Sequence, residues 1–282
     1  MVEENTLSYS AQQVRDGDSD RFLTALFAPA DRREDLFALY AFNLEVARIA
    51  ESVTEPMMGQ IRLQWWRDRV SEIYSGEPPK GADVAQALCH AVRRHNLPRD
   101  SFDALLDARE LDLTPEPPAT LDDFEVYAEA TSGELVSIAL HVLGVADEAA
   151  HEAGQHVGMA WAILGHLRAA AFHSRRGKLF LPADLLEESG AADDLRAGQS
   201  SPALVEVVQR LDELAEEHMT AARDLAPQVP KAALPALLLC ALAQAYLHRI
   251  REQKHDLFST NLEISKPRRQ LLLAWAAWRK KF

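Results

Sequence analysis

Apolar residues along the chain recur at the three-to-four-residue spacing of a helix and never settle into the alternation of a strand. From Asp20, Phe22, Leu23, Leu26 and Phe27 repeat at one-turn spacing until Pro29 closes the segment. A second predicted helix starts near Asp31 and runs through Leu36, Leu39, Tyr40, Phe42, Leu44 and Val46 to about Ser52. It is apolar on more than one side, as a helix buried among several neighbours is. A third follows Pro56, with Ile61, Trp65, Val70 and Ile73 apolar, and stops at Gly76-Glu77-Pro78-Pro79. The same period predicts helices over 82–95, 99–113, 121–143, 147–172, 201–225, 231–254 and 266–281. Periodicity alone therefore predicts an all-α fold.

Two stretches break the pattern and read as loops. Thr114-Pro115-Glu116-Pro117-Pro118 is short enough to join two antiparallel helices. Ser174 to Gly190 is basic and then apolar, and it leaves a helix rich in small residues, Ala160 to Ala171, that packs closely or lines a cavity.

With 282 residues, no Gly/Ser-rich linker and no internal repeat, the economical reading is one domain over 1–282, with 1–18 as a loose N-terminal segment. A hydrophobic share of 48% and only 12 glycines favour helix over sheet. No run of about 18 uncharged apolar residues is present, and MVEENTLSYS opens acidic and polar. Neither a transmembrane helix nor a signal peptide is expected. Cys89 and Cys240 sit in apolar helical patterns, which suits reduced thiols in a cytosolic core, with a disulfide as the alternative.

A net charge of −13 argues against nucleic acid as a partner. The charge is uneven, however. Ser265 to Phe282 carries Lys266, Arg268, Arg269, Arg279, Lys280 and Lys281, no acid, and Trp275 and Trp278. That composition suits contact with an anionic membrane surface. The plainer expectation is a last helix whose tryptophans pack into the core while its cations favour the C-terminal dipole.

No phosphate loop, Cys-x-x-Cys pair, His-Glu-x-x-His helix or Gly-x-Ser-x-Gly elbow occurs. His166 and His173 lie seven apart and His248 and Glu252 one turn apart, but three or four convergent metal ligands do not assemble from spacing, so no metal site is expected. Asp107, Glu110 and Asp112, like Asp122-Asp123, read first as helix-end or solvated charge.

Several blocks taken in order carry a resemblance. Asp20-Arg21-Phe22, Pro29-Ala30-Asp31-Arg32-Arg33, Leu39-Tyr40-Ala41-Phe42, Leu63-Gln64-Trp65-Trp66-Arg67, Ser132-Gly133-Glu134-Leu135, Arg175-Arg176-Gly177-Lys178-Leu179-Phe180-Leu181-Pro182 and Ile264-Ser265-Lys266-Pro267-Arg268-Arg269 resemble the squalene/phytoene synthase family over nearly the whole chain. The resemblance implies an isoprenoid-synthase-type helical bundle around a central apolar cavity. It also implies two aspartate-rich motifs whose magnesium ions hold a prenyl diphosphate as it departs. Magnesium requires hard oxygen ligands, and an anionic leaving group requires neutralisation.

The matching positions here are degenerate. The first motif reads Ala47-Arg48-Ile49-Ala50-Glu51, keeping a carboxylate only at Glu51, and the second has Ala169 and His173 where aspartates belong. Glu45, Glu51 and Glu55 offer a replacement set without an opposing face. Phe42-Asn43, Glu51-Ser52-Val53 and Val92-Arg93-Arg94-His95-Asn96-Leu97 resemble the branch that holds the mitochondrial respiratory complex I assembly factor, which also lacks the aspartates. The implied function is a non-catalytic assembly-type or isoprenoid/lipid-binding protein, with respiratory-complex subunits as partners and no cofactor. Its implied location is cytoplasmic, peripheral to the inner membrane. The alternative is an active magnesium-dependent synthase condensing two prenyl diphosphates. Arg168, Arg175, Arg176 and Lys178 are candidates for an anion or diphosphate site at the cavity mouth. The opposing reading pairs them with nearby acids, so that they only pin a loop.

Overall fold

Side chains that satisfy the open backbone ends of helices decide where the elements begin and stop. The computed structural model describes residues 7–114, 116–259 and 262–282. Residues 1–6 of the expected loose N-terminus, and Pro115 of the proline-rich loop, lie outside the described residues. The helices are α1 (Tyr9–Gly17), α2 (Ser19–Ala25), α3 (Ala30–Ala47), α4 (Ile49–Ser52), α5 (Pro56–Ser75), α6 (Asp83–His95), α7 (Arg99–Ala108), α8 (Leu121–Ala128) and α9 (Glu134–Val142). There follow α10 (Glu148–Ser174), α11 (Ala183–Ser189), α12 (Ala192–Ala197), α13 (Pro202–Leu225), α14 (Leu234–Leu237), α15 (Leu239–Glu252) and α16 (Lys266–Arg279). No strand occurs among the described residues. The all-α expectation holds.

Local chemistry accounts for several boundaries. Pro56 opens α5 and Gly76, at φ 87°, closes it in the left-handed conformation that glycine adopts without strain. Thr120 caps α8: its hydroxyl accepts from the Asp123 N–H at 3.1 Å, while the Asp123 carboxylate accepts from the Thr120 N–H at 3.1 Å. Asp123 is thus the helix-end charge the sequence suggested.

Three expectations change. The N-terminal segment is not loose throughout: α1 is capped by Ser8, whose hydroxyl accepts from the Ala11 N–H at 3.1 Å, and Ala11 and Val14 are fully buried. The stretch 174–190 contains α11, and the two stretches read as loops dock on each other. The N–H groups of Ala183 and Asp184 donate to the carbonyls of Pro118 and Ala119 at 2.9 and 3.2 Å. Asp184 also accepts from the Leu121 N–H at 3.0 Å. Finally, Trp275 and Trp278 do not pack into the core; they are 57% and 73% exposed.

Lys231–Glu252, which spans α14 and α15, is long and apolar enough to cross a bilayer by length and composition. About two thirds of its apolar window, 67%, is buried inside the protein, so its apolarity serves the core. Cys89 and Cys240 are buried and free.

Helix α10 runs through the centre, touching α8, α9, α12, α13, α14 and α15. It also touches a π-helical turn, Glu129–Gly133, that joins α8 to α9. Contact there is between backbones: a Cβ at Gly158 would stand 2.5 Å from the Ser132 carbonyl oxygen and 2.6 Å from Gly133 Cα. Two turns on, a Cβ at Gly165 would meet nothing within 4 Å.

These two glycines predict opposite responses on one helix. Gly165→Ala should stabilise by up to about 1 kcal/mol through helix propensity. Gly158→Ala has to force two backbones apart and should destabilise by about 2 kcal/mol or more, as overpacking does. Urea unfolding midpoints at a constant m-value measure both.

Candidate functional site

Small residues on α10 leave space that its neighbours do not fill. Gly165 and Ala169 line a cavity of about 200 Å³ together with Ala162, Trp161 and His173 from the same helix. Arg21 of α2, Asn43 of α3, Arg109, and Thr131 and Ser132 of the π turn complete it. The space is lined by both polar and apolar groups, Arg21 and Arg109 among them. A larger apolar space of about 740 Å³ lies on the far side of His166, lined by α7, α8, Leu111, Asp112, Thr114 and residues 116–119. His166 borders both spaces.

The two guanidiniums are held from behind by acids outside the lining. Arg21 donates through Nη1 to Asp18 at 2.8 Å, reaches Ser132 Oγ at 3.4 Å, and lies over the rings of Tyr40 and Trp161. Arg109 donates through Nη1 to Asp112 Oδ2 at 3.1 Å and to the Tyr127 hydroxyl at 2.8 Å, while that hydroxyl donates to Asp112 Oδ1 at 2.6 Å. Arg21 Nε, Arg109 Nε and Asn43 Oδ1 are buried with no hydrogen-bond partner among the described residues. Such orphaned groups are costly unless water or a ligand meets them. Burial among the Phe124, Tyr127 and Phe180 rings pushes the His166 imidazole down to about 4, so it is neutral near pH 7. His173, against Phe172 and Phe180, is also held down by burial, with Lys178 and Arg176 adding to the effect.

The degenerate motif positions separate into two places. Ala169 and His173 are in the cavity wall. Ala47 and Arg48 sit where α3 ends, Arg48 donating to the Gly17 carbonyl at 3.4 Å. Glu51 is exposed on α4, and the Arg176 guanidinium donates to its carbonyl at 3.4 Å, which ties the two motif segments together.

The four candidate cations do not line the cavity. Arg168 donates to Glu263 at 3.0 Å and lies 3.6 Å from the centre of the Tyr246 ring, in a second network where the Tyr246 hydroxyl donates to Asp20 at 3.1 Å. Lys178 donates to the Asp112 carbonyl at 2.8 Å, and Arg175 is exposed. The cavity cations are instead Arg21 and Arg109. Arg21 stood inside a quoted sequence block; Arg109 gave no signal in the sequence.

This lining does not fit magnesium. The ion needs several hard oxygen ligands in near-octahedral array. The wall offers two guanidiniums, two imidazoles held toward neutrality and alanine at 169, and no carboxylate. Nor does any group of three His, Cys, Asp or Glu elsewhere among the described residues form a metal site.

The squalene/phytoene synthase family profile matches residues 14–270. The chain belongs to the squalene/phytoene synthase family. Bovine NADH dehydrogenase (ubiquinone) complex I, assembly factor 6 is 35% identical over 276 residues, covering 97% of this chain and 82% of that relative. Presqualene diphosphate synthase of Rhodopseudomonas palustris is 29% identical over 214 residues, covering 74% of each chain. Among solved structures, a dehydrosqualene synthase in complex with ligand superposes with a TM-score of 0.81 at 19% identity, over 96% of this chain and 95% of that one. The bundle is therefore the family's isoprenoid synthase fold.

The depressed His166 has a linkage consequence. A histidine that stays neutral when folded but takes a proton when unfolded loses stability as pH falls from about 6.5 toward about 4. In proton NMR the His166 ring resonances should stay nearly fixed between about pH 7.5 and about pH 5, where a free histidine titrates. His166→Gln should reduce the loss of thermal stability over that range.

Proposed function

We propose that the chain is a non-catalytic member of its family that serves as an assembly-type factor for a membrane-bound NADH dehydrogenase. It acts on the cytoplasmic side, peripheral to the inner membrane. The observation that carries the reading is the cavity wall. Where prenyl coupling needs carboxylates facing each other across metal ions, this wall presents Ala169, His173, Arg21 and Arg109. A dication placed there is repelled rather than held, and the leaving diphosphate loses its counter-charge. The relatives named as complex I assembly factor 6 support the assembly role, which neither cavity chemistry nor charge specifies by itself.

A second reading concerns what the cavity holds, and the orphaned Arg21 Nε and Arg109 Nε donors favour it. Two guanidiniums suit a phosphate-bearing headgroup, and the apolar space beyond His166 suits a tail. An isoprenoid or lipid bearing a phosphate would fit that division without being consumed.

The test is in two arms. Purified protein with farnesyl diphosphate, magnesium and reduced nicotinamide cofactor should release no diphosphate; turnover comparable to an active synthase would overturn the non-catalytic reading. Deleting the gene should lower membrane NADH:quinone oxidoreductase activity, and the native chain should restore it. Unchanged activity would remove the assembly role. For the cavity ligand, farnesyl diphosphate without metal should raise the melting temperature of the native chain and leave Arg21→Gln unshifted.

A further inference from the structure

Helix α16 has two faces of opposite character. Inward, Arg269 and Leu273 are buried, and the Arg269 guanidinium donates to Ser19 Oγ at 3.0 Å and to the Asp20 carboxylate. Outward, Leu271, Trp275 and Trp278 stand four and then three residues apart, which places them in one stripe. They are 73%, 57% and 73% exposed. The two indoles touch, with centroids 5.1 Å apart, and Arg279 lies 5.7 Å from the Trp275 ring centre.

Charge indicates what covers this stripe. Residues 265–282 contain six cations and no acid in a chain whose net charge is −13. Arg269 is taken by Asp20, while Lys266, Arg268, Arg279, Lys280 and Lys281 are exposed and form no ion pair among the described residues. The helix ends at Lys280, whose φ of 54° turns the chain so that Lys280 and Lys281 border a cleft of about 540 Å³. Arg223 and Lys231 border it too, beside Val229 and Phe282, and no Asp or Glu side chain among the described residues lines it.

A row of one leucine and two tryptophans between clusters of cations, with a basic cleft at its end, matches the boundary of an anionic bilayer. Indoles favour that boundary because one edge is apolar and the other can hydrogen-bond, and cations beside them meet lipid phosphates. The acidic remainder of the protein is repelled by the same surface, which fixes the orientation. We propose that α16 docks this protein on anionic phospholipid, with Leu271, Trp275 and Trp278 in the headgroup boundary and the cleft between Lys231 and Lys281 taking a phosphate headgroup. The proposal stands apart from the assembly role, since a protein can bind lipid without assisting any complex.

Co-sedimentation of the full chain with vesicles tests it. Vesicles of phosphatidylcholine mixed with phosphatidylglycerol should pellet the protein, with binding falling steeply as salt rises, and pure phosphatidylcholine should not. Trp275→Ser with Trp278→Ser, and separately Lys280→Glu with Lys281→Glu, should each weaken partitioning by at least about tenfold. Because these side chains are exposed, the circular-dichroism melt should be unchanged for both pairs. Failure of the native chain to bind the mixed vesicles would overturn the proposal, as would equal binding by both variant pairs. Capture of soluble polyglutamate through the same residues without vesicle binding would overturn it in favour of an acidic protein partner.

Discussion

Backbone contact between Gly158 on α10 and the Ser132–Gly133 peptide sets the spacing of the central helices. A side chain at 158 would push α10 away from the π turn by the width of a methyl group. The turn is the other half of the arrangement. One residue more than an α-helical turn carries, it rotates the chain so that Thr131 and Ser132 line the cavity, Thr131 meanwhile donating to the Tyr127 carbonyl at 2.7 Å. Tyr127 belongs to the Asp112–Arg109 network, so the same turn connects cavity wall and buried charge. Close approach at one end of α10 and open space at Gly165 are therefore two results of one helix placement.

Electrostatics then decides what such a cavity is able to hold. The buried acids have cationic or histidine partners: Asp20 with Arg269, Asp35 with His95 and Arg94, Asp112 with Arg109, and Asp212 with Arg251. Burial pushes the Asp20 carboxyl up, and Arg269, followed by Arg168, pulls it back. An unpaired buried carboxylate costs several kcal/mol, on the order of 3–5 when its partner is removed. At the cavity wall the guanidiniums of Arg21 and Arg109, each paired with an acid behind it, keep their Nε donors open beside Ala169 and His173.

The long helices were legible because each buries a stripe that repeats at the helical period, as α5, α6, α10 and α13 do. Three short elements were not: α1, α11 and α12 hold too few turns for a period to register, and they form by docking on neighbours. The predicted helix over 121–143 contains the π turn, which adds a residue without breaking the apolar pattern. At the site, the degenerate motif positions Ala169 and His173 both lie on α10 and line the cavity. Motif spacing misplaced the cations. Arg168, one residue before Ala169, faces Tyr246 and Glu263 instead of the cavity, since adjacent helical positions point about 100° apart. Arg109 reaches the wall from the end of α7 by a tertiary contact that no local pattern encodes.

The exposed tryptophans show how the same buried network shapes the surface. A short helix bearing Leu271, Leu272, Leu273, Trp275 and Trp278 has two ways to pack, and hydrophobic area alone would favour turning the indoles inward. Arg269 opposes that arrangement. Its guanidinium bonds Ser19 and Asp20 beneath α16, and rotating the helix to bury the indoles would strip the buried Asp20 carboxylate of its hydrogen-bonded cation, leaving only Arg168 nearby. That penalty, on the order of 3–5 kcal/mol, exceeds the roughly 2 kcal/mol gained by covering one large apolar side chain and is comparable to covering both indoles. Leu273 already fills the inner space at full burial, so an indole has no vacant pocket to enter. One buried ion pair near the chain's beginning thereby fixes which face of its last helix meets the surroundings.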